Sequence, residues 1–242
     1  MSRLYIIGIG PGAADMMTAR AKEALDNSDI ILGYKTYLDL IRAGYPDKEF
    51  RESGMREEIS RCREAVRMAK DGKVVSLICS GDAGVYGMAS PALGIAAEEG
   101  FTDTEVIAGV SAANAGAAVL GAPLGHDFCV ISLSDLLTPW ELIEKRLRCA
   151  AEGDFCISIY NPASRQRKDH LKNAVNILLE ILPPGRICGW VKNIEREGME
   201  SGTCSLAGLA GVDADMFTTV FIGNSRTEVV NGRMVTPRGY KE

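Results

Sequence analysis

The stretch "LICSGDAGVYGMAS", residues 77–90, sets the reading of this chain. It leaves an apolar run, 74–79, that reads as a buried strand. Positions 80–87 then hold three glycines, one aspartate and one tyrosine before a helical pattern opens near residue 90. An ordinary strand-to-helix connection takes about two to six residues and one turn-former. The loop is built to let something approach its backbone, since glycine tolerates positive φ and carries no Cβ to hold a neighbour away.

Outward from this loop the same alternation recurs. "LYIIGIG" (4–10) reads as strand, 18–28 as a helix with Thr18 as N-cap, and "DIILG" (29–33) as strand. Residues 56–71 read as an amphipathic helix with Ile59, Cys62, Val66 and Ala69 on one face. A helix over about 90–99, the strand "TEVIAG" (104–109) and a small-residue helix over 112–120 complete the first region. Strands apolar on both faces and separated by helices predict an α/β fold with a parallel sheet covered on both sides.

Gly, Pro and Gly cluster in "GAPLGHDF" (121–128), the expected link between an N-terminal lobe, 1–124, and a C-terminal lobe, 125–242. Beyond it "CVISLS" (129–134), "FCISIY" (155–160) and "RICGWVKN" (186–193) read as strands. "TPWE" (138–141) reads as a helix start, with Thr138 as N-cap, Pro139 at N1 and Glu141 closing a capping box. A second helix over about 168–181 is ended by Pro183-Pro184. "GTCSLAGL" (202–209) and "TTVFIGN" (218–224) are joined by a short connection, which predicts that they pair antiparallel in a mixed sheet.

The 242 residues, 46% hydrophobic and 24% charged, suffice for a sizeable core. A net charge of -5 without any long Lys/Arg run argues against nucleic acid as a partner. The seven cysteines (62, 79, 129, 149, 156, 188, 204) never take a C-x-x-C spacing, so they read as small buried hydrophobes in a reducing compartment and not as a zinc site or disulfide framework. The amino terminus lacks a signal-peptide pattern, and the longest weakly charged stretch (106–125) is too broken by Gly and Pro to span a membrane. The expectation is a cytoplasmic protein bound to neither membrane nor nucleic acid.

Three glycine-rich loops follow three of the expected parallel strands. The first, "GIGPGAADMMT" (8–18), matches G-x-G-x-x-A, but a dinucleotide site wants a helix opening at that turn and an acid after the second strand. Here the helix waits until Thr18 and the second strand ends in Gly33-Tyr34-Lys35, where Lys35 would suit the 2′-phosphate of NADP. The second loop lacks the P-loop pattern. Its glycines 81, 84 and 87 suit a ligand recognised through backbone groups, including one with a positive centre, while Asp82 alone also reads as an Asx-turn residue. The third, "IAGVSAANAG" (107–116), offers Ser111 and Ala112. Loops from three parallel strands would meet at one sheet edge, where open α/β sheets bind ligands.

Taken together, "YIIGIGPG", "SGDAGVYGMAS", "AGVSAANAGAAVLGAPLGHDF", "ISLSDLLTPW", "IYNPASR" and "TTVFIGN" resemble the tetrapyrrole methylases, over about residues 3–238. The resemblance implies two α/β lobes with a cleft between them and S-adenosylmethionine as cofactor. The motifs around "LGHDFCVISLSDLLTPWE" and "YNPASRQR" are most similar to the branch of that family that methylates C17 of a porphyrinoid, with ring contraction, in cobalamin biosynthesis. By resemblance Pro11, Gly81, Asp82, Val85, Tyr86, Ser111, Ala112, Tyr160, Asn161 and Thr219 would form the cofactor pocket, and the protein would be a homodimer. The chain departs from the family in having Ala13-Ala14-Asp15 where Asp-Pro is common, and Ala83 where Pro is common.

Methyl transfer itself asks for in-line orientation in a water-poor site, whereas ring contraction gains from a proton donor or acceptor. His126 beside Asp127 is the first candidate, against a plain role in hydrogen-bonding the link; His170 reads as exposed or capping. For the carboxylates of the tetrapyrrole substrate, Arg165, Lys192 and Arg226 are the expected partners. Other methylases of the same fold, and a binding protein without turnover, are the competing readings.

Overall fold

The computed structural model describes residues 2–240. The chain divides into two compact units, one up to Ala112 and one from Ala113 onward. The first contains β1 (Arg3–Gly8), α1 (Ala19–Asp26), β2 (Ile30–Tyr34), α2 (Lys35–Ile41), β3 (Glu49–Ser53), α3 (Glu58–Lys70), β4 (Val74–Cys79), α4 (Ala89–Glu98) and β5 (Thr104–Ile107). Its sheet is parallel throughout, in the order β3-β2-β4-β1-β5.

The central strands are apolar on both faces because both are covered. Leu4 and Ile6 of β1 pack with Leu77 of β4 against Cys62, Val66 and Ala69 of α3 and Ala92 and Ile95 of α4. The alternate residues Tyr5 and Ile7 face Ala21, Ala24 and Leu25 of α1 and Leu38 and Ile41 of α2. Each such Ile or Leu, fully buried, contributes about 1.5–3 kcal/mol. Thr18 caps α1 as expected, its Oγ1 accepting from the Ala21 N–H at 3.1 Å. Ile59 departs from expectation: in the first turn of α3 it is 55% exposed, and Arg61 is buried instead. The edge strand β3, "EFRES", has no apolar alternation to announce it, since it is largely exposed and pairs on one side only.

The second unit holds α5 (Ala112–Leu120, nearly all of it), β6 (Gly121–Ala122), β7 (Phe128–Ser132), α6 (Trp140–Glu152), β8 (Cys156–Tyr160), α7 (His170–Leu179), β9 (Ile187–Lys192), β10 (Glu200–Ser205), α8 (Leu206–Leu209), β11 (Thr218–Ile222), β12 (Glu228–Val230) and β13 (Arg233–Val235). Its main sheet runs β10-β9-β11-β8-β7 and is mixed. The stretches 202–209 and 218–224 do not pair with each other. Both pair antiparallel with β9, one on each side, with Cys204 opposite Cys188 and Val220 opposite Trp190. The connection is not a hairpin because α8 occupies part of it and buries Leu206 and Leu209 in the core.

One face of this sheet packs on α6, α7 and α8. The other receives α5 so closely that a Cβ on Gly116 would stand 2.9 Å from Phe221 Cζ and 3.0 Å from Ile194 Cδ1. That packing assigns α5 to the second unit and puts the division at Ala112/Ala113. The Gly-Pro-Gly stretch, where the link was expected, lies inside the second unit, with β6 in a small sheet of order β12-β13-β6. The expected capping box at 138–141 is also absent. Pro139 itself is the N-cap of α6, its carbonyl accepting from the N–H groups of Leu142 and Ile143 at 3.0 and 3.2 Å.

Cys62, Cys79, Cys156 and Cys188 are buried, Cys129 and Cys204 half-buried, and Cys149 on α6 is exposed. Burial pushes the thiols of Cys62, Cys79 and Cys129 up to about 11. A chromogenic disulfide reagent at pH 8 is therefore expected to titrate one thiol quickly in the native protein and all seven after unfolding. Three or more fast thiols in the native state would overturn this picture of the core.

Candidate functional site

In the first unit β1 lies between β4 and β5, so the three glycine-rich loops leave the carboxyl edge side by side. Gly10 and Gly81 exchange two backbone hydrogen bonds, Gly10 N–H to Gly81 O at 3.1 Å and Gly81 N–H to Gly10 O at 2.7 Å. A Cβ on Gly8 would stand 2.6 Å from Gly81 O, one on Gly109 2.2 Å from the same oxygen, and one on Gly87 2.4 Å from Ala83 O. Gly8, Gly87 and Gly109 thus allow chain to approach chain. Of positions 81, 84 and 87 only Gly81 has positive φ, at +69°, and Tyr86 takes a left-handed conformation with φ +53°. At Gly81 a Cβ would be in ordinary contact, 3.7 Å from Ala112 N and 3.8 Å from Ser111 Cα, and at Gly84 it would meet only Asp82 Oδ1 at 3.3 Å.

Asp82 ties the loops together. Its Oδ1 accepts from the N–H groups of Gly84 and Val85 at 2.8 and 3.1 Å, the Asx-turn arrangement. Its Oδ2 reaches across to the third loop and accepts from Gly109 N–H at 3.0 Å. Loops 8–18, 80–88 and 108–112 carry Asp15 and Asp82 and no Lys, Arg or His. Such an edge suits a ligand with a positive centre and gives a phosphate no cation. Lys35, the one residue that favoured a 2′-phosphate, points to Glu52, with its Nζ 3.9 Å from Oε2. This loop edge, with Pro11 buried and Val85, Ser111 and Ala112 half-buried, offers backbone groups and no cation, which suits an uncharged-to-cationic ligand such as a sulfonium nucleoside.

In the second unit β7, β8 and β9 end, and β11 begins, at one edge. That edge gathers Tyr160, Asn161, Lys192 and the buried Thr219. Asn161, at φ +53°, donates from Nδ2 to Ser132 Oγ at 2.9 Å. The Tyr160 hydroxyl accepts from Ala113 N–H at 2.8 Å, satisfying an orphan donor of the first turn of α5. Lys192 lies 3.1 Å from Asp215 Oδ2, and that hydrogen bond holds its ammonium above the usual lysine range. Arg165 is exposed and, among the described residues, forms no ion pair.

His126 and Asp127 precede β7 and Arg226 follows β11, so all three sit at the opposite edge of this sheet. The gap is the five residues of β7, at about 3.3 Å each. His126 Nδ1 accepts the Asp127 N–H at 2.8 Å, which leaves the neutral ring's proton on Nε2. The structure thus brings Tyr160, Asn161, Thr219 and Lys192 together and leaves His126, Asp127 and Arg226 apart from them.

A polar cluster went unread in the sequence. Arg167 donates to Ser134 Oγ at 2.7 Å and to Ser164 Oγ at 3.1 Å, and lies 3.6 Å from Asp135 Oδ1. His170 Nε2 is 3.2 Å from Asp135 Oδ2, without an aligned hydrogen bond, and its ring meets Trp140 edge-on at 4.9 Å. The expectation of an exposed or capping His170 is corrected: its side chain is 16% exposed and the N-cap of α7 is Asp169. The only hint was that two polar stretches each followed a predicted strand.

Desolvation raises the Asp135 carboxyl, but the close approach of His170 at 3.2 Å and the charge of Arg167 outweigh it and hold it below the usual range. A group depressed on folding stabilises above its unfolded value and stops doing so as pH falls through its folded value. Thermal midpoints followed from pH 6 to pH 2 are thus expected to fall more steeply for the wild type than for Asp135→Asn, and identical slopes would refute the cluster's contribution.

The family described as Tetrapyrrole (Corrin/Porphyrin) Methylases matches residues 3–210. The cobalt-factor III methyltransferase of Priestia megaterium is 46% identical over 99% of this chain, which spans only 45% of that protein's length. A probable cobalt-factor III C(17)-methyltransferase of Salmonella typhimurium is 46% identical, covering 98% of this chain and 99% of its own. Among solved structures, that of the methyltransferase CobJ superposes with a TM-score of 0.90 at 36% identity, covering 98% of this chain and all of that one.

Proposed function

Because the chain belongs to the tetrapyrrole (corrin/porphyrin) methylases, we propose that it transfers a methyl group from S-adenosylmethionine to C17 of precorrin-3B or its cobalt-bearing counterpart, with ring contraction, in cobalamin biosynthesis. The observation that carries this reading is the first unit's carboxyl edge: three loops tied by Asp82 and by the paired Gly10–Gly81 hydrogen bonds, with no cation among them. S-adenosylmethionine supplies an electrophilic methyl, whose bond to sulfur breaks as the bond to C17 forms. The chain supplies orientation, since its loops are hydrogen-bonded in place before the cofactor arrives. Contacts from Pro11, Val85, Tyr86, Ser111 and Ala112, and from Tyr160, Asn161 and Thr219, rest on the family resemblance.

For the substrate's carboxylates Arg165 is the first choice, because Lys192 already faces Asp215. Arg226 lies at the opposite edge of the sheet and is set aside. His126, the sequence's candidate proton donor for contraction, stands at the edge opposite Asn161 and Lys192, and for it we propose the plain role of accepting the Asp127 N–H at the start of β7. His126→Ala is accordingly expected to keep both its affinity for S-adenosylhomocysteine and its rate of contracted product within twofold; loss of contracted product alone would return it to the mechanism. No helix among the described residues is long and apolar enough to cross a membrane. A cytoplasmic homodimer is the assembly we favour on resemblance, to be checked by light scattering.

The decisive test is anaerobic incubation with S-adenosylmethionine and cobalt-factor III, reading product mass and absorbance together. Gain of one methyl with a contracted-ring spectrum is expected. No gain from this substrate or from metal-free precorrin-3B, with S-adenosylhomocysteine still bound, would leave the binding-protein reading.

A further inference from the structure

The segment after β7 joins a fastened base to a bare tip. At the base Leu133 N–H donates to Tyr160 O at 2.9 Å, Ser132 Oγ accepts from Asn161, Ser134 Oγ accepts from Arg167, and Asp135 lies between Arg167 and His170. At the tip Leu136 is 57% exposed and Leu137 is 98% exposed, more than any other large hydrophobic side chain among the described residues. A loop held this firmly does not collapse onto its leucines, and it presents them at the edge that also carries Asn161 and Lys192.

Resting on the substrate reading above, we propose that Leu136 and Leu137 are the apolar seat for the flat face of the tetrapyrrole, with Arg165 and Lys168 beside them meeting carboxylates on its rim. The charge of the two fastened loops supports this occupant. Residues 133–139 and 161–170 hold Arg165, Arg167 and Lys168 against Asp135 and Asp169, a net of +1 (three minus two) in a chain of net -5. Arg167 and Asp135 face each other, which leaves Arg165 and Lys168 as the exposed cations, and Asp169 as the exposed acid, outside that pair. A disc that is apolar at its centre and anionic at its rim asks for apolar contact flanked by cations. Because the loop is already ordered, seating the ring immobilises little more of the chain.

The test uses the full chain, cobalt-factor III followed by absorbance titration, and S-adenosylhomocysteine followed by calorimetry. The double variant Leu136→Ser/Leu137→Ser is expected to weaken tetrapyrrole binding about tenfold or more, since the apolar contact is lost. Leu137→Glu should weaken it further by setting a carboxylate against the rim. In both, the Kd for S-adenosylhomocysteine and the Tm should hold, because the two side chains are bare in the free protein. Tetrapyrrole affinity equal to wild type in Leu137→Glu overturns this inference alone. Loss of both ligands together, or a fallen Tm, overturns it by showing a structural role. A wild type that binds S-adenosylhomocysteine and no tetrapyrrole overturns the substrate reading and this inference with it.

Discussion

Gly109→Ala is expected to abolish measurable binding of S-adenosylhomocysteine and to destabilise the protein by about 3 kcal/mol or more. The added methyl would stand 2.2 Å from Gly81 O and 2.5 Å from Gly8 O, closer than any Cβ contact allows, and both neighbours are backbone that no rotamer change can clear. To admit it, the first and third loops must part, and Gly81 must move away from Gly10, to which it is doubly hydrogen-bonded. Gly100→Ala is the control for backbone strain: Gly100 has a φ of +68° but open space around its Cβ position, so its cost should stay near 1 kcal/mol and its cofactor affinity should be normal. Urea denaturation and calorimetric titration of the two variants decide the matter. Gly109 has no positive φ, so equal costs would mean that the loops part to admit the methyl at little expense and that the contact is not what makes Gly109 necessary.

Asp82→Asn is expected to weaken S-adenosylhomocysteine binding by about tenfold to a hundredfold while lowering stability by only about 1–2 kcal/mol. An asparagine can keep its Oδ1 on Gly84 and Val85, so the turn survives. Its Nδ2 would then face the Gly109 N–H, where the carboxylate now accepts at 3.0 Å, and donor would meet donor. The link between the second and third loops is what fails. Asp82→Ala removes the turn as well, so it should lose more stability than Asp82→Asn with a similar loss of affinity. If Asp82→Asn bound S-adenosylhomocysteine as the wild type does, neither the cross-loop tie nor the carboxylate would matter to the cofactor.

Much of this arrangement was legible in the order of residues. The strands at 74–79 and 30–34 announce themselves because buried parallel strands need apolar side chains on both faces, and Thr18 announces α1 because a hydroxyl in that place satisfies a free N–H. The three loops could be assigned to one edge from chain order alone, since strands separated by helices run parallel and end together. Other features were silent. Edge strand β3 pairs on one side and is largely exposed, so it carries no apolar signature. The sequence 202–224 looks like a hairpin because local pattern specifies a strand and its faces but not its partner, and only the packing of α8 and the register with β9 separate the two strands.

The sequence by itself therefore determined the α/β class, the glycine-loop edge and the family, all of which rest on local periodicity and contiguous motifs. The tertiary structure alone decided that α5 belongs with the second unit, that Asp82 accepts from a residue 27 positions away, and that His126 and Tyr160 occupy opposite edges of one sheet. It also buried His170 against Trp140 while leaving Leu137 bare. The physical reason is the same in each case. These outcomes depend on contacts between segments distant in the chain, whose registers and packing distances are set by the whole core and leave no mark on neighbouring residues.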